Sequence, residues 1–296
     1  MSKYIVTTDY TIDKIAAPNL PLAPDQWDRR YQDQFANVLR LYFNRLDDFI
    51  ARLTASLETD YGATLTFPYG AFHQDGTTTL SANITNNSTT PISVASTASF
   101  PATGWILIEN EIISYTTKTA TQFDGTITRG VLGTTNVAHT AGVAISEVQG
   151  TGSPTTIGQV LFNNTDFSNG VATNSTDLTK IVFSTPGIYN LQFSAQLLNF
   201  TTAEDNVTIW FAKNGTDIAT SASVEQVNPK HGTSPGARIV TVNIYENLAV
   251  NDYIQLKWTS DTGNTVIGTF PAGTSPVHPV SPGVIFTASF VSAPPA

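Results

Sequence analysis

The sequence predicts a mainly β protein: a long N-terminal α-helix, a small β module, and a C-terminal antiparallel jelly-roll sandwich. Three observations point there. Residues 31–53, YQDQFANVLRLYFNRLDDFIARL, form the one stretch with a sustained helical period. From Ile157 onward, strand-like runs alternate with short turns. Between the two lies a stretch of short apolar runs punctuated by Thr, Asn and Gly. The expected divisions are 1–60 (arm and anchoring helix), 61–150 (β-rich neck) and 151–296 (head).

Composition supports the class. Of 296 residues only 12% are charged, and the formal net charge is −9 from 14 basic and 23 acidic residues. Abundant Thr, Ser, Asn and Gly among apolar residues suit half-buried strands joined by polar turns rather than a disordered chain. So acidic a balance argues against wrapping a nucleic-acid backbone. The chain has no cysteine, so no disulfide framework and no thiolate chemistry is expected, which fits folding in a reducing cytoplasm. The opening MSKYIVTTDYTIDK lacks the apolar core of a signal peptide. No apolar run approaches the ~18–20 residues of a membrane span.

Tyr4–Tyr10 could form a short strand, and Pro18, Pro21 and Pro24 keep the following stretch from being helical throughout. Pro24 suits a first helical position, and Asp25 and Asp28 suit the positive end of the helix dipole. The spacing predicts a helix from about Pro24 to about Leu57, ~50 Å long. It is ended by Tyr61-Gly62 and Pro68-Tyr69-Gly70. Its apolar band runs Tyr31, Phe35, Val38, Tyr42, Leu46, Phe49, Leu53, Leu57, widened by Leu39, Phe43 and Ile50, with Trp27 near the start. The steps of three and four average slightly above 3.6, nearer an eleven-residue repeat than a heptad, which suits a straight or slightly right-handed bundle.

A lone helix is marginal in water. Burying about seven such side chains at ~2 kcal/mol each offers ~14 kcal/mol per chain as an upper bound. No second amphipathic helix is present to receive them. The band could lie across this chain's own sheets or pack on symmetry-related copies, with a remaining face docked on another protein. A membrane-surface helix fits poorly, because acids and bases both line the polar face. We take packing on sister copies as the expectation.

In 77–148, TPISVAS, GWILIENEIISYT and AGVAISEV read as strands, with Glu109-Asn110 as a tight hairpin turn and Phe123-Asp124-Gly125-Thr126 as a stronger turn signal. QGTGSPTT (149–156) reads as a linker. Beyond it, IGQVLFNN, DLTKIVFSTPG, IYNLQFSAQLLNF, NVTIWFAKNGTDIA, ARIVTVNIYENLAV, DYIQLKWTS and GVIFTASFV read as strands. Asn214-Gly215 marks a type I′ hairpin. So many strands at such spacing indicate an antiparallel sandwich.

Several residues invite chemistry. His73, His139, His231 and His278 are far apart and show no metal-binding spacing. His231 and His278 lie in Pro/Gly-rich loops, where a symmetry axis could gather copies, though a solvated imidazole is the plainer reading. Glu204-Asp205 and Asp261 flank hairpin turns, and paired carboxylates can cleave glycosidic bonds when held ~5–10 Å apart; nothing sets two of them in an aromatic cleft. There is no G-x-S-x-G elbow. TRGVLGTTN lacks a G-K-[ST] ending and a following helix, so Arg129 reads as a structural hydrogen-bond donor at a loop base. Trp210, Phe211, Tyr253 and Trp258 lie in strands and read as packing residues, with a sugar-stacking platform as the lesser reading. No catalytic residue, metal ligand or cofactor is expected.

The residues also carry a resemblance. Pro186-Gly187-Ile188-Tyr189, Lys213 to Thr216 and Asn251 to Leu256 recur together in jelly-roll domains of the C1q and tumour-necrosis-factor type, closest to the version in structural proteins of tailed bacteriophages. The match covers roughly 157–292. Phe100-Pro101, the Gly104 to Tyr115 hairpin, Thr128-Arg129-Gly130 and His139 resemble a small β module of phage tail and virion proteins. LPLAPDQWDRRYQDQFANVLRLYFNRLD is similar to segments of virion proteins in podoviruses that infect cyanobacteria.

This resemblance implies a homotrimer made in the host cytoplasm and carried in the virion as a tail-fibre-like structural protein. The N-terminal arm and helix would hold other virion proteins, and the head would attach to a host-surface glycan or protein. It departs from the animal proteins in lacking collagen repeats and placeable calcium ligands. An adaptor or decoration protein, and a surface-glycan depolymerase, are the rival expectations.

Overall fold

The computed structural model describes residues 29–61 and 67–293; the expected strand Tyr4–Tyr10, the Pro24 helix start and Trp27 lie outside them. The chain divides into two compact units, 1–66 and 67–296.

In the first unit, helix α1 spans Arg29–Tyr61, free of Pro and Gly. Within the expected course from Pro24 to Leu57, side chains are described continuously only over 34–48. There Phe35, Val38, Leu39, Tyr42 and Leu46 are half-buried, whereas Leu41 and Phe43 are 61% and 55% exposed.

The second unit is antiparallel β throughout its named ladders. Six-residue Tyr69–Gln74 sits between Asn164–Asn169 and Val284–Ser292, and the sheet continues to Gly187–Asn199 and its full-length partner Gly236–Leu248. A second sheet orders Val171–Thr173, Ile181–Phe183, Tyr253–Ser260 and Asp205–Lys213, with Ser223–Val227 also on the last strand. Alternation explains why they face each other. In Gly187–Asn199, Tyr189, Leu191, Phe193, Ala195 and Leu197 are fully buried, while residues between them are mostly part-exposed. They share one core with Ile209, Phe211, Leu256 and Trp258 of the opposite sheet. The expected turn forms at Asn214 and Gly215, both at positive φ (52° and 82°), the pairing a type I′ turn requires.

The expected linker at 149–156 is not a break. Strand Ala144–Gly150 includes Gln149 and Gly150 and pairs with Val266–Gly268, itself paired to Gly187–Asn199. The first sheet therefore runs on through Ala144–Gly150 into the hairpin Gly104–Ile108 and Glu111–Tyr115. The side chain of Gln149 closes the junction, donating to Leu161 O (3.0 Å) and accepting from Leu161 N (2.8 Å). A shared apolar cluster, with Leu107, Ile112 and Val148 on one side and Leu198, Phe200 and Val266 on the other, packs the neck onto the head. The neck keeps its own core of Leu80, Ile106, Ile113, Tyr115, Phe123 and Ile145. Tyr69–Gln74, expected within the neck region, belongs to the head's sheet instead.

Candidate functional site

The most ordered polar arrangement surrounds the Glu109-Asn110 turn. Ile108 pairs with Glu111 across it, and Glu109 takes a positive φ of 54°. Glu111 points inward and is fully buried. It receives Arg129 Nε (2.6 Å) and Nη2 (2.7 Å), Gly130 N and Val137 N (both 3.0 Å). His139, whose side chain is also inaccessible, places Nε2 2.8 Å from Glu111 Oε2 and Nδ1 2.7 Å from Glu109 Oε2. Burial alone would push the Glu111 carboxyl up. The hydrogen bonds from His139 and Arg129 outweigh it and hold it at about 2. Burial likewise opposes a charge on His139, but Glu111 and then Glu109 overcome it and raise its pKa. Both ring nitrogens face carboxylates, so the imidazolium donates to each. Two cations and two carboxylates thus balance within the cluster.

The cluster clamps the loop from Gly130 to Ala138. Arg129 Nη1 also reaches Thr85 O at 2.7 Å, and Thr134 Oγ1 accepts from Ile112 N at 3.0 Å while donating to Val131 O at 2.7 Å. Arg129 is therefore the structural donor that the sequence suggests. The clamped loop and the hairpin tip form one wall of a groove of about 190 Å³. Asn110, Thr135 and Val137 line this wall, Phe200 lines the groove from the shared apolar cluster, and Lys230 and Thr233 line it from the loop before Gly236–Leu248. That loop is pinned by Lys230 N donating to Thr201 O (2.8 Å) and by paired bonds between His231 and Ser234.

A second groove of about 230 Å³ is more apolar, with Leu197, Leu198, Ile239 and Phe270 beside Arg238. A buried acid marks the join of neck and head. Glu147 is pushed up to about 8, first by burial and further by Asp75, although Asn163 Nδ2 donates to it at 2.7 Å. Gln74 lies against it, yet neither its amide nor Glu147 Oε1 completes a well-formed hydrogen bond.

The structure disperses the residues singled out for chemistry. His73 sits 3.3 Å from both Asp75 and Asp166, while His231 and His278 are exposed. Among the described residues no group of three His, Cys, Asp or Glu could hold a metal ion. Buried Asp205 accepts from Ser260 (2.6 Å) and from Thr262 Oγ1 (2.9 Å) and Thr265, which outweigh burial and lower its pKa. Asp205 thus ties a turn, while Glu204 accepts from Gln226 and Asp261 from Asn206. Trp258 and Phe211 are core. Tyr253 is half-buried, with Lys180 Nζ 4.9 Å over its ring.

Of the helix positions, Phe35, Val38, Tyr42 and Leu46 share one half-buried stripe, whereas Trp27 and the side chains of Tyr31, Phe49, Leu53 and Leu57 lie outside the described residues. Sequence reasoning missed Lys230, Phe200 and Glu147. Lys230 lies in NPKHGTSPG, where only His231 drew attention. Among the described residues no helix is long and apolar enough to cross a membrane. No protein-family model matches the chain. No curated protein is similar to it in sequence.

Proposed function

We propose that the chain is a structural component of a phage virion, a homotrimeric fibre- or spike-like protein whose C-terminal head attaches to the host surface. The observation that carries this reading is α1. Leu41 and Phe43 stay more than half exposed beside the half-buried stripe of Val38, Tyr42 and Leu46. Large apolar side chains crowded on one helix call for a protein partner, and sister copies supply identical complementary faces. The helix would then gather three chains and hold them to other virion proteins through the N-terminal arm. The strand order of the head is read as a jelly roll. Its hairpin at Asn214-Gly215 and its strands beginning at Gly187 and Tyr253 carry the residues of the phage-type resemblance. Three heads on one stalk raise the effective concentration at a surface, so weak single contacts suffice.

The test is the mass of the purified full chain by light scattering, together with its binding to host cells. Three chain masses and saturable cell binding are expected. Val38→Asp with Leu46→Asp should lower the mass or abolish incorporation into particles while leaving the β unit folded. A wild-type chain that runs as a monomer overturns the trimer. If wild-type particles carry the protein, yet particles made without it still adsorb normally, an adaptor role is favoured over attachment.

A further inference from the structure

Charge accounting in the β unit isolates one cation. Arg129 is held by Glu111 at 2.6 Å, Lys180 by Asp177 at 2.9 Å, Lys213 by Glu246 at 3.2 Å, Arg238 by Glu225 at 3.0 Å, and Lys257 by Asp217 at 2.8 Å. Lys118 donates to Thr97 O and Phe100 O. Among the described residues, Lys230 alone of the unit's seven basic side chains makes neither an ion pair nor a hydrogen bond through its ammonium. It is half-buried, on a pinned loop, in the groove of about 190 Å³.

The rest of the lining narrows the ligand. Asn110, Thr135 and Thr233 have side chains with no hydrogen-bond partner among the described residues, so amide and hydroxyl groups are free to bond hydroxyls. Val137 and Phe200 supply apolar surface. No carboxylate lines the groove, and the nearby Glu109 and Glu111 are taken by His139 and Arg129. One ammonium, three uncharged polar groups and an apolar patch suit a ring that carries one carboxylate, several hydroxyls and a C–H face. A phosphate dianion would call for more than one cation or a bidentate fork. We infer that the groove binds one uronic-acid residue of an acidic polysaccharide, its carboxylate on Lys230. This assigns a ligand class to the head, and its biological meaning rests on the attachment reading.

Saturation-transfer NMR on the full chain, with D-glucuronate, D-glucose and inorganic phosphate as probes, tests it. Glucuronate should bind about tenfold tighter than glucose, the worth of one charge-assisted bond. Phosphate should not displace it. Lys230→Gln should erase that preference without changing the melting temperature or the weak glucose signal, and Asn110→Ala should weaken both sugars alike. Equal binding of the two sugars, displacement by equimolar phosphate, or a preference that survives Lys230→Gln overturns the assignment. Lys230-dependent glucuronate binding in a protein that fails to bind host cells would overturn the attachment reading and leave the groove assignment standing. Cell binding without glucuronate binding would do the reverse.

Discussion

Glu111 and Glu147 lie in neighbouring parts of one sheet, on the strands Glu111–Tyr115 and Ala144–Gly150, and both are shut off from solvent. Yet one carboxyl is held at about 2 and the other at about 8. Burial pushes both the same way, so partners decide the difference. Glu111 receives a guanidinium, an imidazolium and two backbone N–H groups. Glu147 has Asn163, one backbone N–H from Gly76, an ill-aimed Gln74 and a like charge on Asp75, and, among the described residues, no ion-paired cation. A buried carboxylate stays ionised here only where enough donors are brought to it: cations and backbone N–H groups at Glu111, hydroxyls and a backbone N–H at Asp205. Where they fall short, as at Glu147, the chain keeps a neutral acid.

The contrast breaks most clearly at Glu111→Gln. The change keeps the shape and removes the countercharge from two buried cations, at a cost of roughly 3–5 kcal/mol at pH 7. Thermal unfolding should show the largest loss of any single substitution in the neck. Because the folded pKa is depressed, the stabilisation by Glu111 is present above the ordinary carboxylate value of 4.5 and is lost as pH falls towards about 2. The variant should therefore lack the wild type's steep acid limb in that window. A variant that melts within a degree or two of wild type at pH 7 would mean that Arg129 and His139 find other partners.

Glu147→Gln should behave in the opposite sense. A carboxyl whose folded pKa is raised binds its proton more tightly when folded, so stability falls as pH rises from about 4.5 to about 8. The neutral amide removes that slope. Little change is expected at pH 5 and a gain on the order of 2 kcal/mol near pH 8, a few degrees in Tm. His139 adds a second alkaline loss, since its stabilisation is full below the ordinary 6.5 and is lost as pH rises through its raised value. The Glu147→Gln profile should therefore still bend downward at high pH. A wild-type profile that is flat from pH 5 to 8 would remove the neutral-acid assignment.

How far the sequence discloses these two sites follows from how local their causes are. Gly187–Asn199 and Tyr253–Ser260 announce themselves by alternation, and Asn214-Gly215 by a residue pair that readily takes the positive φ its turn requires. Arg129 was legible as a loop donor, since TRG marks a loop base. Tyr69–Gln74 was not. Its pairing partners, Asn164–Asn169 and Val284–Ser292, lie about ninety and more than two hundred residues away, and Pro68-Tyr69-Gly70 signals a turn. Glu147 reads as an ordinary strand residue in AISEVQG. It is covered because Gly76, lacking a side chain, passes so near that a Cβ there would sit 2.6 Å from Glu147 Oε2. Lys230 stands out only once every other basic residue of the β unit has been paired in three dimensions. Packing between distant segments decides all three, and no local pattern encodes it.

The smallest effect sharpens the comparison furthest. Asn163 Nδ2 donates to Glu147 Oε2 at 2.7 Å and to Ser99 O at 2.6 Å, so Asn163→Ala leaves two part-buried acceptors short of a donor. About 1–2 kcal/mol is expected from that loss. Its pH dependence carries the information. The amide lowers the Glu147 pKa by favouring the ionised form, so removing it raises that pKa further and penalises the protein most where the carboxylate should form. The Tm difference between Asn163→Ala and wild type should therefore be larger at pH 9 than at pH 6, and it should lose this dependence in a Glu147→Gln background. An equal loss at both pH values would assign Asn163 to Ser99 alone. The contrast with Glu111 would then rest on cations, not on the number of donors.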